Sequence, residues 1–307
     1  MCRVFAYMGP RILLDDILYQ PSNSLINQTF DPKLSLLLNL AGFGMTVWDQ
    51  ESHRPEIPHL YQSLELPFFD RNLKNMAEKI STNVCIAHIR GVMLNERSTV
   101  IKTNLHPFLF PNFSLALAHN GDLKSFGKMR FDLAKYLHPE VAKCIQGNTD
   151  TEWIYAVLLS QLENPMGHHT LDEVHEALEK TLTIIRQVRE KNGIQLSSPV
   201  NLFISNGDFI LIVRFVFDYG WYDTNDPIMH QFHALYKSLW FTTGSSYEKH
   251  DGKWSMVGNQ DSTDAIVVSS EPITDDDSTW LPMPEYHSMG VYRAQGKQHI
   301  QLQELNL

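Results

Sequence analysis

The order of secondary-structure signals along the chain constrains its architecture more than any other feature. Strand patterns come first, helical patterns fill the middle, and only strand patterns follow Asn192. A chain of βαβ units would interleave the two periodicities, whereas segregated blocks belong to the α+β class. The early strands are Arg3–Met8, closed by Gly9-Pro10, then Gly42–Asp49, Asn83–Ile89 and Ser114–His119. Leu13–Tyr19 reads as a turn or two of helix, and Pro58–Asp70, punctuated by prolines, as loop.

Helical spacing begins in Arg71–Ser81, where Leu73, Met76, Ala77 and Ile80 share a face. Phe131–Tyr136, Glu152–Leu162 and Leu171–Asn192 follow, the second with Thr149 and Asp150 as capping residues and the third stopped by Asn192-Gly193. The late strands are Val200–Ser205, Phe209–Phe217, Ser238–Thr243, Ala265–Ser269, Gly290–Arg293 and His299–Glu304, with Asn206-Gly207 as the strongest hairpin signal. No repeat or low-complexity linker divides the chain, so residues 2–307 are read as one domain whose part after about residue 193 supplies strands.

Charge excludes several classes. The 25 Lys and Arg stand against 35 Asp and Glu, a formal −10, with no basic run of the kind nucleic acid or an anionic membrane requires. The longest apolar stretches, Phe209–Val216 and Leu34–Val47, are broken by Arg214, Asn39 or glycines and fall short of a membrane span. The start lacks a secretory pattern, since Pro10-Arg11 and Asp15-Asp16 follow Met1–Gly9. Three cysteines, Cys2, Cys85 and Cys144, make no disulfide framework and no zinc motif, so a reducing cytoplasm is the expected compartment. Cys85 and Cys144 read as buried filler. No phosphate-binding or dinucleotide fingerprint is present, and no cofactor or metal is expected.

Cys2 is different. Its side chain is small enough for removal of Met1, which would leave a thiol and an α-amine on one residue. An α-amine ordinarily titrates at about 7.7–8.0, so it can accept the thiol proton and later return it to a leaving group. The alternative is an inert thiol.

Further motifs lie in order behind it: Met1-Cys2-Arg3, Ala87-His88-Ile89-Arg90, Asn104-Leu105-His106-Pro107-Phe108, Ala118-His119-Asn120-Gly121 and Gly147-Asn148-Thr149-Asp150-Thr151-Glu152. Together they resemble the signatures of the class-II glutamine amidotransferases. That resemblance implies the N-terminal nucleophile (Ntn) hydrolase fold, a four-layer αββα sandwich. Tyr19–Asp31, Asn39–Trp48 and Ser269–Thr274 are similar to a stand-alone branch. That branch holds the amidotransferase-like subunit of a glutathione-degrading peptidase complex and the γ-glutamyl hydrolase of ergothioneine synthesis.

The resemblance implies a role for each residue. Cys2 is the nucleophile. Asn120 and Gly121 supply an oxyanion hole, where each donor is typically worth about 2.7–4 kcal/mol; read alone they are an Asn-Gly turn. Arg90 offers its fork of donors to the substrate α-carboxylate, against an ion-paired strand-end arginine. Asp150 takes the substrate ammonium, caps its helix, or does both. His106 lies near the carboxylate or in the core. Arg3 holds the N-terminus.

Two departures bear on substrate choice. Relatives often read Arg-x-Ala-Ser/Thr where this chain has Arg90-Gly91-Val92-Met93, and an acid is replaced in Asn39-Leu40-Ala41-Gly42-Phe43-Gly44. A lost polar partner at a specificity site shifts preference strongly. Three functions remain open at this stage: a cysteine amidohydrolase acting on glutamine or a γ-glutamyl compound, a glutaminase subunit passing ammonia to a partner enzyme, and a non-catalytic module that kept the fold.

Overall fold

The computed structural model describes residues 2–34, 38–92, 100–222, 238–258 and 263–307. Two sheets of antiparallel strands stack face to face. The seven-stranded sheet runs β12 (Leu281–Pro282), β8 (Trp240–Gly244), β11 (Ala265–Ser269), β1 (Arg3–Leu13), β4 (Ser81–Ile89), β2 (Phe43–Trp48) and β3 (His59–Ser63). The five-stranded sheet runs β14 (Lys297–Glu304), β13 (His287–Ala294), β7 (Phe209–Phe217), β6 (Ser198–Ser205) and β5 (Ala116–Gly121). A ribbon of β9 (Ser246–His250) and β10 (Lys253–Val257) stands beside them.

Strand alternation divides the buried residues into three layers. Val4, Ala6 and Met8 of β1, Val84 and Ile86 of β4, Ala116 and Ala118 of β5, and Phe203, Ile212 and Met289 pack between the sheets. The opposite parity of the first sheet, with Phe5, Tyr7, Cys85 and Ala87, packs under α1 (Leu14–Leu18) and α2 (Arg71–Ala77). That of the second, with Leu117, Leu202 and Leu211, packs under α3 (Phe126–Leu133), α4 (Pro139–Ala142), α5 (Asp150–Ser160) and α6 (Leu171–Lys191). The result is the αββα sandwich that the resemblance implied. β6, flanked by β7 and β5 and covered on both faces, is buried throughout, its Asn201 included.

Local signals explain the longest helix. Thr170 and Glu173 form a reciprocal capping box, and Val174, Ala177, Leu178, Thr181, Leu182, Ile185 and Val188 make the buried stripe of α6.

Four expectations are corrected. Pro58–Asp70 is not all loop, because His59–Ser63 pairs with β2 as an edge strand whose flanking prolines lie outside the ladder. β1 does not end at Gly9-Pro10. It continues to Leu13 across a register shift between Met8 and Ile12, where proline needs no ladder donor. The ribbon β9–β10 turns at Asp251-Gly252, both with positive φ, a hairpin signal equal to the one read at Asn206-Gly207. The helix expected at Phe131–Tyr136 begins at Phe126 and ends in a 3₁₀ turn over Ala134–Tyr136.

Candidate active site

Extending the inner-layer parity toward one end of the sandwich converts an apolar row into a polar one. On β1 the row Met8, Ala6, Val4 leads to Cys2, on β4 Val84, Ile86 leads to His88 and Arg90, and on β5 Ala116, Ala118 leads to Asn120. Arg3 pairs with Ile89, so one further step of register sets Cys2 across from Arg90. Cys2 is half-buried, not sealed in the core, and its thiol lies 3.7 Å from the Gly91 carbonyl. Arg3 anchors this terminus from behind: Nη1 donates to the Cys2 carbonyl at 3.2 Å, and Nη2 faces the fully buried Glu271 carboxylate at 3.9 Å.

Asn120 is 2% exposed, and its Nδ2 donates to the Ser270 hydroxyl at 3.2 Å. That hydroxyl also accepts from the Val4 backbone at 3.0 Å, so β1 and β5 are tied together just inside Cys2. At Gly121 a Cβ atom would lie 2.0 Å from the Pro199 carbonyl oxygen and 2.3 Å from His119 Nε2. Only glycine lets β5 pass β6 there.

Arg90 is 6% exposed and extends the ladder toward β2, donating its N–H to Gly42 and accepting from Ala41 at 2.8 and 2.9 Å. Three buried histidines lie near it. The His88 and His106 rings are 4.1 Å apart, His106 Nδ1 accepts from the His119 N–H at 3.4 Å, and His119 Nδ1 lies 2.9 Å from Thr151 Oγ1. Burial first, then neighbouring charge including the Arg90 guanidinium, holds His88 and His106 well below the ordinary imidazole pKa. These rings are neutral at pH 7. His106, 4% exposed, therefore presents its faces to His88 and Phe108.

Thr149, not Asp150, caps α5, accepting from Glu152 N–H at 3.3 Å. Asp150 sits in the first turn. One carboxylate oxygen accepts from Leu123 N–H and the other from Thr151 N–H, both at 2.7 Å, which ties α5 to the segment leaving Gly121. Burial pushes its pKa up, opposed by His119. Glu152, which the sequence placed in a motif without a role, accepts from Gln146 and Gly147 N–H at 2.8 Å each.

Cys2, Arg90 and Asn120 thus share one end of the inner layer, and Asp150 and His106 join that end through Leu123 and His119. Met93 lies outside the described residues. Cys85 is fully buried as expected, with its thiol pKa pushed up by burial. Cys144 is only half-buried, a correction, because α4 is too short to cover it; its thiol donates to Glu140 O at 3.4 Å. Sequence reasoning gave no role to Ser270 or Glu271, although both stand in the Ser269–Thr274 motif. Among the described residues no helix is long and apolar enough to cross a membrane.

The family model for class-II glutamine amidotransferases matches residues 69–304. The chain belongs to the class-II glutamine amidotransferases. A probable glutamine amidotransferase of Saccharomyces cerevisiae, DUG3, is 27% identical over 92% of this amidotransferase and 80% of its own length. An uncharacterized protein of Methanocaldococcus jannaschii is 36% identical over 44% of this chain and a third of its own (33%). Among solved structures, a glutamine aminotransferase class-II domain protein from Silicibacter pomeroyi superposes with TM-score 0.58 at 17% identity, covering 98% of both chains. The glutamine phosphoribosylpyrophosphate amidotransferase of B. subtilis gives 0.58 at 18%, covering all of this chain and 50% of its own. At such identities these likenesses establish the fold, which is that of the Ntn amidotransferase domain.

Proposed function

We propose that this amidotransferase is a cysteine amidohydrolase that cleaves the γ-amide of glutamine or of a γ-glutamyl compound through a thioester on Cys2. The observation that carries this is the meeting of a half-exposed thiol, a strand-end arginine and a buried carboxamide at one end of the layer between the sheets. With Met1 removed, the α-amine takes the thiol proton and sulfur adds to the amide carbonyl. Asn120 Nδ2 and the Gly121 N–H stabilise the oxyanion. Collapse forms the thioester, and the amine returns its proton to the departing ammonia or amine. Water, activated by the same amine, then releases glutamate and restores the thiol.

Arg90 receives the substrate α-carboxylate and Asp150 the α-ammonium. His106, a neutral ring beside His88 and Phe108, completes the carboxylate end of the site. No cofactor or metal takes part. Residues 2–307 act as one amidotransferase domain in this scheme, since strands from both halves of the chain flank β1.

The test is glutamate release from glutamine, glutathione and other γ-glutamyl compounds by protein whose intact mass shows loss of Met1. Turnover of one or more of these is expected; release from none would sink the proposal, and with it would return the non-catalytic module. A second scheme passes the ammonia to an acceptor enzyme on a partner chain, and the name of the S. cerevisiae relative, a probable glutamine amidotransferase, favours it. Glutaminase turnover measured alone and with co-purified partners separates the two, strong activation by a partner marking the subunit.

A further inference from the structure

We propose that Ser270 is a positioning residue whose hydroxyl sets which end of the Asn120 amide faces β1, next to Cys2. This rests on the assignment of Asn120 as an oxyanion donor, and the sequence motifs assign Ser270 no role of its own.

A carboxamide can sit in either of two orientations, and only one turns its N–H groups toward a developing oxyanion. Asn120 Oδ1 is buried without a hydrogen-bond partner among the described residues, so its own bonds do not choose the orientation. Ser270 does. It is 1% exposed, and its backbone N–H donates to the Val4 carbonyl at 3.0 Å, which fixes the residue against β1. Its hydroxyl accepts from Val4 N–H at 3.0 Å and lies 3.5 Å from the Val4 carbonyl, an acceptor for its proton. With the proton on that carbonyl, the remaining lone pair faces Asn120 and takes a donor. Nδ2 fills that place at 3.2 Å, which turns the nitrogen end of the amide toward β1. One N–H is spent on Ser270, and the second, on the same nitrogen, is left for the oxyanion.

The experiment compares wild type, Ser270→Ala, Ser270→Thr, Asn120→Ala and the Ser270→Ala/Asn120→Ala double variant, each with Met1 removed and each checked for thermal unfolding. Deleting an oxyanion donor costs about 10²–10³ in kcat, so misorienting it in Ser270→Ala is expected to lower kcat roughly 10- to 100-fold with KM within about twofold. In the Asn120→Ala background the same change should cost less than about twofold, since the group it orients is gone. Ser270→Thr, which keeps the hydroxyl, should recover most of the loss. The alkylation rate of Cys2 by iodoacetamide should stay within about twofold of wild type in Ser270→Ala. Full activity in Ser270→Ala, an equal loss in both backgrounds, or a parallel fall in alkylation would overturn the proposal, the last two by showing that Ser270 acts through β1 and Cys2. A wild type that releases no glutamate would instead overturn the site assignment itself, and this inference with it.

Discussion

Asn104 and Asn148 hold each other reciprocally: Asn104 Nδ2 donates to Asn148 Oδ1 at 2.7 Å, and the Asn148 backbone N–H donates to Asn104 Oδ1 at 3.1 Å. Two motifs more than forty residues apart are locked by this pair, the one carrying His106 and the one carrying Asp150. Asn104 is fully buried, so truncation leaves polar groups of Asn148 without their partners. Asn104→Ala should therefore lower unfolding free energy by about 1–3 kcal/mol and raise KM, since Asp150 follows Asn148 by two residues. Urea denaturation and steady-state kinetics check it. A variant with wild-type stability would show that the pair is dispensable.

Gly121 has no room for a methyl group. A Cβ there would stand 2.0 Å from a backbone oxygen, which cannot swing aside as a flexible side chain could. Gly121→Ala should force β5 away from Pro199, with a loss of about 3 kcal/mol or more and collapse of hydrolysis. Soluble, cooperatively folding Gly121→Ala protein with normal turnover would disprove the close approach.

How much of this was legible beforehand depends on the kind of signal. The α+β class was readable because helical and strand periodicities are segregated along the chain, the four layers followed only from the family resemblance, and the helix over Leu171–Lys191 carried both its cap and its stripe. The second half of β1 was not, since Gly9-Pro10 is a local stop signal that a bulge overrides by tertiary pairing with β4. Edge strand β3 was hidden for a related reason: half-exposed and flanked by prolines, it lacks the apolar alternation of an inner strand. At the site, motif order singles out Cys2, Arg90, His106, Asn120, Gly121 and Asp150 as candidates. The bonds that position them were not legible, because the partnership of Ser270 with Asn120 spans 150 residues and leaves no local pattern.

Acid should destabilise the fold through its buried histidines. His88 and His106 are 1% and 4% exposed, and both are held below the ordinary value by burial, with Arg90 adding to it. The unfolded chain takes up protons at about pH 6.5 while the native chain does not, so stability rises with pH through that value and falls as pH drops below it. At pH 5.5 each ring that stays neutral in the native state should cost about 1.4 kcal/mol relative to pH 7.5. His88→Asn should reduce the difference in unfolding free energy between pH 7.5 and 5.5 by about that amount, whatever its effect at either pH. An unchanged difference would mean that His88 is protonated in the native state.

Cys2→Ala should abolish glutamate release while leaving the thermal unfolding temperature within a few degrees of wild type, because Cys2 is half-buried at a chain end and the change removes one atom. Residual turnover above about one part in a thousand would refute Cys2 as nucleophile.

Asp150→Asn separates substrate binding from scaffolding. Each carboxylate oxygen of Asp150 accepts a backbone bond, one from Leu123 and one from Thr151. Asparagine keeps one acceptor and sets an NH₂ group against the other backbone donor, a loss of about 1–3 kcal/mol in stability. The negative charge assigned to the substrate ammonium also disappears. KM for a γ-glutamyl substrate should therefore rise more than kcat falls, by roughly 10-fold or more, since the contact exists in ground and transition states alike. A substrate analogue lacking the α-ammonium makes the discrimination sharp: wild type and Asp150→Asn should differ little toward it. An equal loss with both substrates would assign Asp150 to holding Leu123 and α5 in place, with no contact to the ligand.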